Sequence, residues 1–160
     1  MRVFFLALLA VLSALAASCG NLDNPPVTRE PAWDSERTRA LAVRACFECH
    51  SNETHWEWYA YLPVVSANLA SGVFEARSKL NFSEWDRPQK EHDDAAEKVV
   101  DREMPPGDFL FAHPDADLSD AERRELADGF ARTFAADPPP DGDDEDNDDE
   151  DNDDEDNDDD

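Results

Sequence analysis

The sequence predicts a small all-α domain, and three features carry that prediction. Apolar residues recur at spacings of three and four, capping residues stand ahead of those stretches, and no stretch keeps a strand-like alternation. The chain has 160 residues, enough for one ordinary domain. Residues 1–18 and 137–160 are unsuited to a packed core, which leaves residues 33–136 as the folding unit. A domain of roughly 100 residues can fold alone, but its core is thin.

The first predicted helix starts at Asp34 or Ser35, carries Glu36 in its first turn, and runs through Arg37, Ala40, Leu41 and Arg44 into Cys46. Tyr59 to Pro63 reads as a break. Ser66 is the expected cap of a second helix, with Leu69, Val73, Ala76 and Leu80 on one face. Gly72 inside it costs about 1 kcal/mol relative to alanine. Asn81-Phe82-Ser83 reads as a turn. Pro88 suits a first helical position, and Ala95, Ala96, Val99 and Val100 mark one face of a third helix, ending before Pro105-Pro106. The last helix has the clearest signals: Ser119 and Glu122 form a capping-box pattern, Leu126, Phe130 and Phe134 line one face, and Pro138-Pro139-Pro140 stops it.

The amino terminus reads as an export signal. Met1-Arg2 precedes an apolar run from Val3 to Ala17 broken only by Ser13, and small residues follow. The run is short for a membrane-spanning helix. Leu15-Ala16-Ala17-Ser18-Cys19-Gly20 resembles a bacterial lipobox, with Ala16 departing from the preferred leucine; it implies lipidation of Cys19 and a membrane anchor. Ordinary cleavage near Ala17 is the alternative, and it leaves Cys19 as a spare thiol. Residues 19–32, with Pro25, Pro26 and Pro31, read as an extended tether.

Cys46-Phe47-Glu48-Cys49-His50 carries the chemistry. Two cysteines three apart lie on one side of a helical turn, where each can form a thioether with a haem vinyl group. The following histidine then reaches the iron from the same side. Haem attachment occurs outside the cytoplasm, a condition the export signal meets. Other readings of the pair are a structural disulfide, a redox dithiol or half of a zinc site. A redox site of the thioredoxin kind sits beside a βαβ pattern, and zinc calls for a second ligand pair. His55, His92 and His113 are scattered singles.

Met104, followed by Pro105-Pro106-Gly107, is the candidate second axial ligand, since a thioether suits haem iron and raises its potential. Its plain alternative is a core gap-filler. His113 is the runner-up ligand, although His113-Pro114 also reads as a turn. Trp56, Trp58, Tyr59 and Tyr61 are candidates for packing on a porphyrin or in the core. Arg77 is a candidate partner for a haem propionate or for a surface carboxylate.

With these residues in view, the chain resembles a family of bacterial haem-binding domains related to monohaem cytochromes c. The resemblance rests on Cys46 to Thr54, Trp58-Tyr59 and Pro63, then Leu80-Asn81-Phe82-Ser83-Glu84-Trp85. It continues through Glu103-Met104-Pro105-Pro106 and His113-Pro114-Asp115-Ala116 into Leu118 to Arg123. It implies a cytochrome c-like fold around one covalent haem c and Met104 as distal ligand. The chain departs from the family pattern at Glu57, at Gly72 and at Ala76-Arg77, where members often carry a proline, a histidine and a Gly-Arg pair.

The formal charge is -26, and 17 of the 40 Asp and Glu residues follow Ala136. This balance argues against nucleic acid, which needs clustered Lys and Arg, and favours cations or a basic protein. The tail repeats Asp143-Asp144-Glu145-Asp146-Asn147 from Asp148 and from Asp153. Such a polyanion is expected to be disordered and solubilising, with weak calcium or basic-protein binding as alternatives. It lacks the glycine turn and bidentate glutamate of an EF-hand loop.

The leading functional expectation is an exported, periplasmic or cell-surface electron carrier or redox subunit, working with unidentified redox proteins. The alternatives are a haem-based sensor and a peroxidase-like enzyme, both requiring an open iron site. No carboxylate pair or activated nucleophile points to hydrolysis.

Overall fold

The computed structural model describes residues 22–62 and 65–142. Cys19, the signal segment, Pro63 and the Asp/Glu/Asn repeats lie outside the described residues. Helices are α1 (Glu36–Ala45), α2 (Phe47–His50), α3 (Val65–Lys79), α4 (Ala95–Val100), α5 (Gly107–Ala112) and α6 (Asp120–Ala136), with 3₁₀ turns at Trp58–Tyr61 and Pro114–Ala116. No β-strand occurs among the described residues; one isolated bridge pairs Arg29 with Glu84. The all-α expectation holds.

Of the two candidate caps for α1, Ser35 serves. It is extended, and its hydroxyl accepts the Thr38 N–H at 3.1 Å. Asp34 instead accepts Arg132 Nε at 2.7 Å. The helix ends at Cys46, and a single further turn, α2, presents the Cys-x-x-Cys-His residues, closed by His50 N–H donating to Cys46 O at 2.8 Å.

Ser66 does not cap α3. It is the second residue of that helix and is buried. The expected apolar face is only partly realised: Val73 and Leu80 are buried and Ala76 half-buried, but Leu69 is exposed. Leu80 lies just past the helix end, where the chain turns inward.

The third predicted helix is much shorter than its apolar pattern suggests. Pro88 starts no helix, because Gln89 secures the loop instead. Its carboxamide accepts Asn81 N–H at 2.7 Å and donates to Glu84 O at 2.8 Å and Arg87 O at 3.1 Å. Such side-chain-to-backbone bonds offer the chain an alternative to a helical ladder. At the other end, α4 stops at Val100 because Arg102 takes a left-handed conformation, φ 62°. Glu103 N–H donates to Lys98 O at 3.0 Å and Arg102 N–H to Val99 O at 3.4 Å, a Schellman closure. Glycine usually occupies that position, so its signal is missing from the sequence.

The capping box of α6 is present in full. Ser119 accepts Glu122 N–H at 3.3 Å, and Glu122 accepts Ser119 N–H at 3.0 Å. Arg44 from α1 also holds Glu122, at 2.9 Å. The Arg44 bond, with the Ser119 donors, lowers the Glu122 carboxyl from 4.5 to about 2. A carboxyl depressed in the folded state loses its contribution as pH falls from the unfolded value through the folded one. Glu122→Gln is therefore expected to lower Tm at neutral pH, with the difference from the parent narrowing between pH 4.5 and about 2. Thermal melts across that range check it.

The core is an aromatic stack between α1, α2, the Asn81–Trp85 turn and α6. Phe82 lies 5.7 Å from Phe47, 5.6 Å from Phe130 and 6.2 Å from Trp85, and Trp85 lies 4.9 Å from Phe134. α1 crosses α6 at Gly129, where a Cβ would stand 2.3 Å from Thr38 Oγ1 and 2.5 Å from its Cγ2. Thr38 is itself buried and short, so it has nowhere to move. Gly129→Ala is expected to destabilise by about 1–3 kcal/mol despite better helix propensity, as overpacked cores do. Chemical denaturation measures it.

The segment 22–32 is extended and docked on the domain. Thr28 and Arg29 N–H groups donate to Ser83 O, at 2.9 and 3.2 Å, and Trp85 N–H donates to Arg29 O at 2.9 Å. Arg29 also pairs with Asp137, beyond the end of α6. The two ends of the domain thus meet on one face.

Candidate haem site

α2 and the Met104 loop line one cleft that is partly open to solvent. Cys46 and His50 line one side of it, Met104 and Val99 belong to the α4 end, and Leu80, Phe82, Ala95 and Phe130 complete an apolar interior. Glu91 and Lys98 are the charged residues in the lining. Of the four predicted site residues within the described range, three share this cleft; Cys49 does not line it, and lies in the same turn of helix as Cys46.

His50 is held in a defined orientation. Its Nδ1 lies 2.9 Å from Leu80 O. A carbonyl oxygen only accepts, so Nδ1 carries the proton and Nε2 keeps its lone pair, the state a metal-ligating imidazole needs. Burial lowers the His50 pKa, which also favours the neutral ring. The His50 carbonyl accepts Phe82 N–H at 2.8 Å, so ring and backbone are both tied to the Leu80–Phe82 turn.

Both cysteines are free thiols. Burial pushes Cys46 up to about 12, and burial is also the main cause of the raised Cys49 pKa. They are thus kept as neutral thiols, not as the thiolates of a reactive redox pair. No group of three or more His, Cys, Asp or Glu residues suited to a metal ion occurs among the described residues.

The chain behind α2 is held by a buried polar network that the sequence reading did not anticipate. Ser51 donates to Phe47 O at 2.7 Å, and Asn52 N–H donates to Ser83 Oγ at 2.9 Å. Asn81 Nδ2 donates to Asn52 Oδ1 at 2.9 Å, while Asn81 Oδ1 accepts Ser83 N–H at 2.9 Å. These bonds join His50-Ser51-Asn52 to Leu80-Asn81-Phe82-Ser83, the two stretches on which the family resemblance largely rests. Satisfied buried networks of this kind fix one geometry.

Arg77 forms no ion pair with a carboxylate among the described residues, and its hydrogen bonds go to the loop after His50 and to Asn24. Its Nε donates to Ser51 O at 2.7 Å, and its Nη2 to Thr54 Oγ1 and Asn24 Oδ1, both at 2.8 Å. It braces the loop after His50. His113 does not line the cleft. It lies 3.2 Å from the Tyr59 hydroxyl and stacks on Phe109 at 4.4 Å, at the start of the Pro114–Ala116 turn. Trp58 and Tyr61 are exposed and contribute to no buried cluster, while Trp56 Nε1 donates to Asn24 Oδ1 at 3.2 Å.

An oriented neutral imidazole, a thioether residue in the same cleft and an apolar lining fit a haem, and a family comparison agrees. A family model described as a haem-binding domain matches residues 8–132. The chain belongs to the haem-binding domain family. No curated protein and no solved structure matches it. As a haem-binding domain it has haem as its cofactor, and the helical architecture accords with a cytochrome-like fold. The residues that would hold the group are Cys46, His50 and Met104, which line the cleft, with Cys49 beside it. Bound haem supplies a one-electron Fe(III)/Fe(II) couple. The protein would supply the His50 imidazole and Met104 thioether as donors, an apolar wall that sets the local dielectric, and hydrogen bonds that fix the His50 ring.

Proposed function

We propose that this chain is an exported monohaem c-type cytochrome that carries electrons, with haem c attached at Cys46 and Cys49 and its iron held by His50 and Met104. The single observation behind this reading is that His50 and Met104 line the same apolar cleft. Two axial side chains leave no open coordination position, so such a site passes electrons and does not activate small molecules. The lipobox-like segment at Cys19 supports anchoring to a bacterial membrane, on the periplasmic or cell-surface side. The acidic body and tail favour a redox partner with a basic docking face, in an encounter that salt weakens.

The test is an optical spectrum of the full chain, expressed with export and haem-attachment machinery. It is recorded oxidised and reduced, with and without carbon monoxide, alongside a haem stain after denaturation. Covalent haem with a sharp reduced spectrum indifferent to carbon monoxide is the expected result. Covalent haem that binds carbon monoxide would favour a sensor or peroxidase-like site. Haem lost on denaturation would remove the thioether assignment.

A further inference from the structure

The side chain of Arg123 is 3% exposed, although it carries a charge that water would solvate strongly. Burying a guanidinium costs several kcal/mol unless its donors are met. Here they converge on three separate pieces of chain. Nε donates to Leu118 O at 3.1 Å, in the turn before α6. Nη1 donates to Val99 O at 3.2 Å, in α4, and to Met104 O at 2.8 Å. Nη2 pairs with Asp117 Oδ1 at 3.2 Å. The loop 101–106 has no helix or sheet ladder of its own. Both backbone polar groups of Met104 are nevertheless fixed, the N–H on Lys98 O at 3.0 Å and the carbonyl on Arg123.

We infer that Arg123 is the positioning residue for the Met104 ligand: its guanidinium clasps the Met104 carbonyl to α4 and α6 and so holds the thioether against the iron. The inference rests on the reading of Met104 as axial ligand. A lysine ammonium is a compact point charge and does not span three carbonyls on separate segments, whereas the planar fork does. With the clasp gone, the loop keeps its ties at the near end, the Schellman closure, the Met104 N–H bond to Lys98 O and the Arg102–Asp120 pair, but the Met104 carbonyl loses its tie to α6 and the residue is no longer held from both sides.

The experiment compares the haem-loaded parent with Arg123→Gln, Arg123→Lys and Met104→Ala, plus Phe134→Ala as a packing control remote from the loop. Readouts are the long-wavelength ferric band of a thioether–iron bond, carbon monoxide binding by the reduced form, midpoint potential and Tm. Arg123→Gln is expected to keep covalent haem, lose at least half of the thioether–iron band and bind carbon monoxide. Arg123→Lys should fall between it and the parent. Phe134→Ala should lose Tm yet keep the band. Asp117→Asn, at an exposed carboxylate, weakens the clasp without entering the core; partial loss of the band there decides for the inference if both Arg123 variants fail to accumulate. An Arg123→Gln protein with the parent's band and potential overturns the positioning role alone, as does an equal loss of band in Phe134→Ala. A parent spectrally identical to Met104→Ala overturns the ligand assignment, and the inference with it.

Discussion

Met104→Ala is expected to leave the haem attached and to open one face of the iron. On the proposed reading, thioether linkage depends on Cys46 and Cys49, in and just before α2, whereas Met104 reaches the cleft from beyond α4. Attachment and distal ligation therefore separate. The variant should bind carbon monoxide when reduced, lose the thioether–iron band and show a potential lower by on the order of 0.1 V, within the ~0.8 V that axial ligands span. Met104→His should close the site again while keeping the potential low, because imidazole is the stronger donor to ferric iron. Spectroscopy and redox titration of the three proteins decide the matter. A Met104→Ala protein with unchanged spectrum and potential would mean that Met104 only fills the cleft.

Trp85→Ala should be the most damaging single change to stability. Trp85 is fully buried, stacks on Phe82 and Phe134, and meets His92 edge-on at 6.4 Å. Its Nε1 donates to Asp137 O at 2.9 Å, and its N–H to Arg29 O at 2.9 Å. The side chain is therefore tied to the end of α6, while the backbone of the same residue holds the docked amino-terminal segment. Large aromatic truncations cost about 3–5 kcal/mol, against a total of ~5–15 kcal/mol for a domain. Trp85→Phe keeps most of the stack and loses the indole bond, and it should cost roughly 1–2 kcal/mol. Urea unfolding of the two variants checks the order; equal losses would place the whole effect in the hydrogen bond.

Several parts of the domain are local in origin and were legible for that reason. Ser119 and Glu122 lie three residues apart, and the capping box they form needs nothing beyond that turn. The Cys46-x-x-Cys49-His50 spacing likewise declares itself within five residues. The all-α class follows from spacings within single helices. Even Met104 was conspicuous as a methionine followed by two prolines.

The remainder depended on residues far apart in the chain. The proton position on His50 is set by Leu80 O, thirty residues away, and no local pattern marks a carbonyl as a partner. The apolar residues of 95–100 suggested a longer helix, but Gln89 and the left-handed Arg102 cut it short at both ends. Arg123 did leave a trace, since it lies three and four residues before Leu126 and Ala127 on the buried stripe of α6. A charge on an apolar stripe announces a partner without naming it. By itself the sequence determined the helical class, the caps and the pair of sulfurs beside a histidine, all of them interactions among neighbours in the chain. Only the tertiary structure decided that Met104 and His50 line one cleft, and that Arg123 and the Asn52–Asn81–Ser83 network brace the segments that carry them. Those contacts arise from side chains that must find buried polar partners wherever the packed helices bring them.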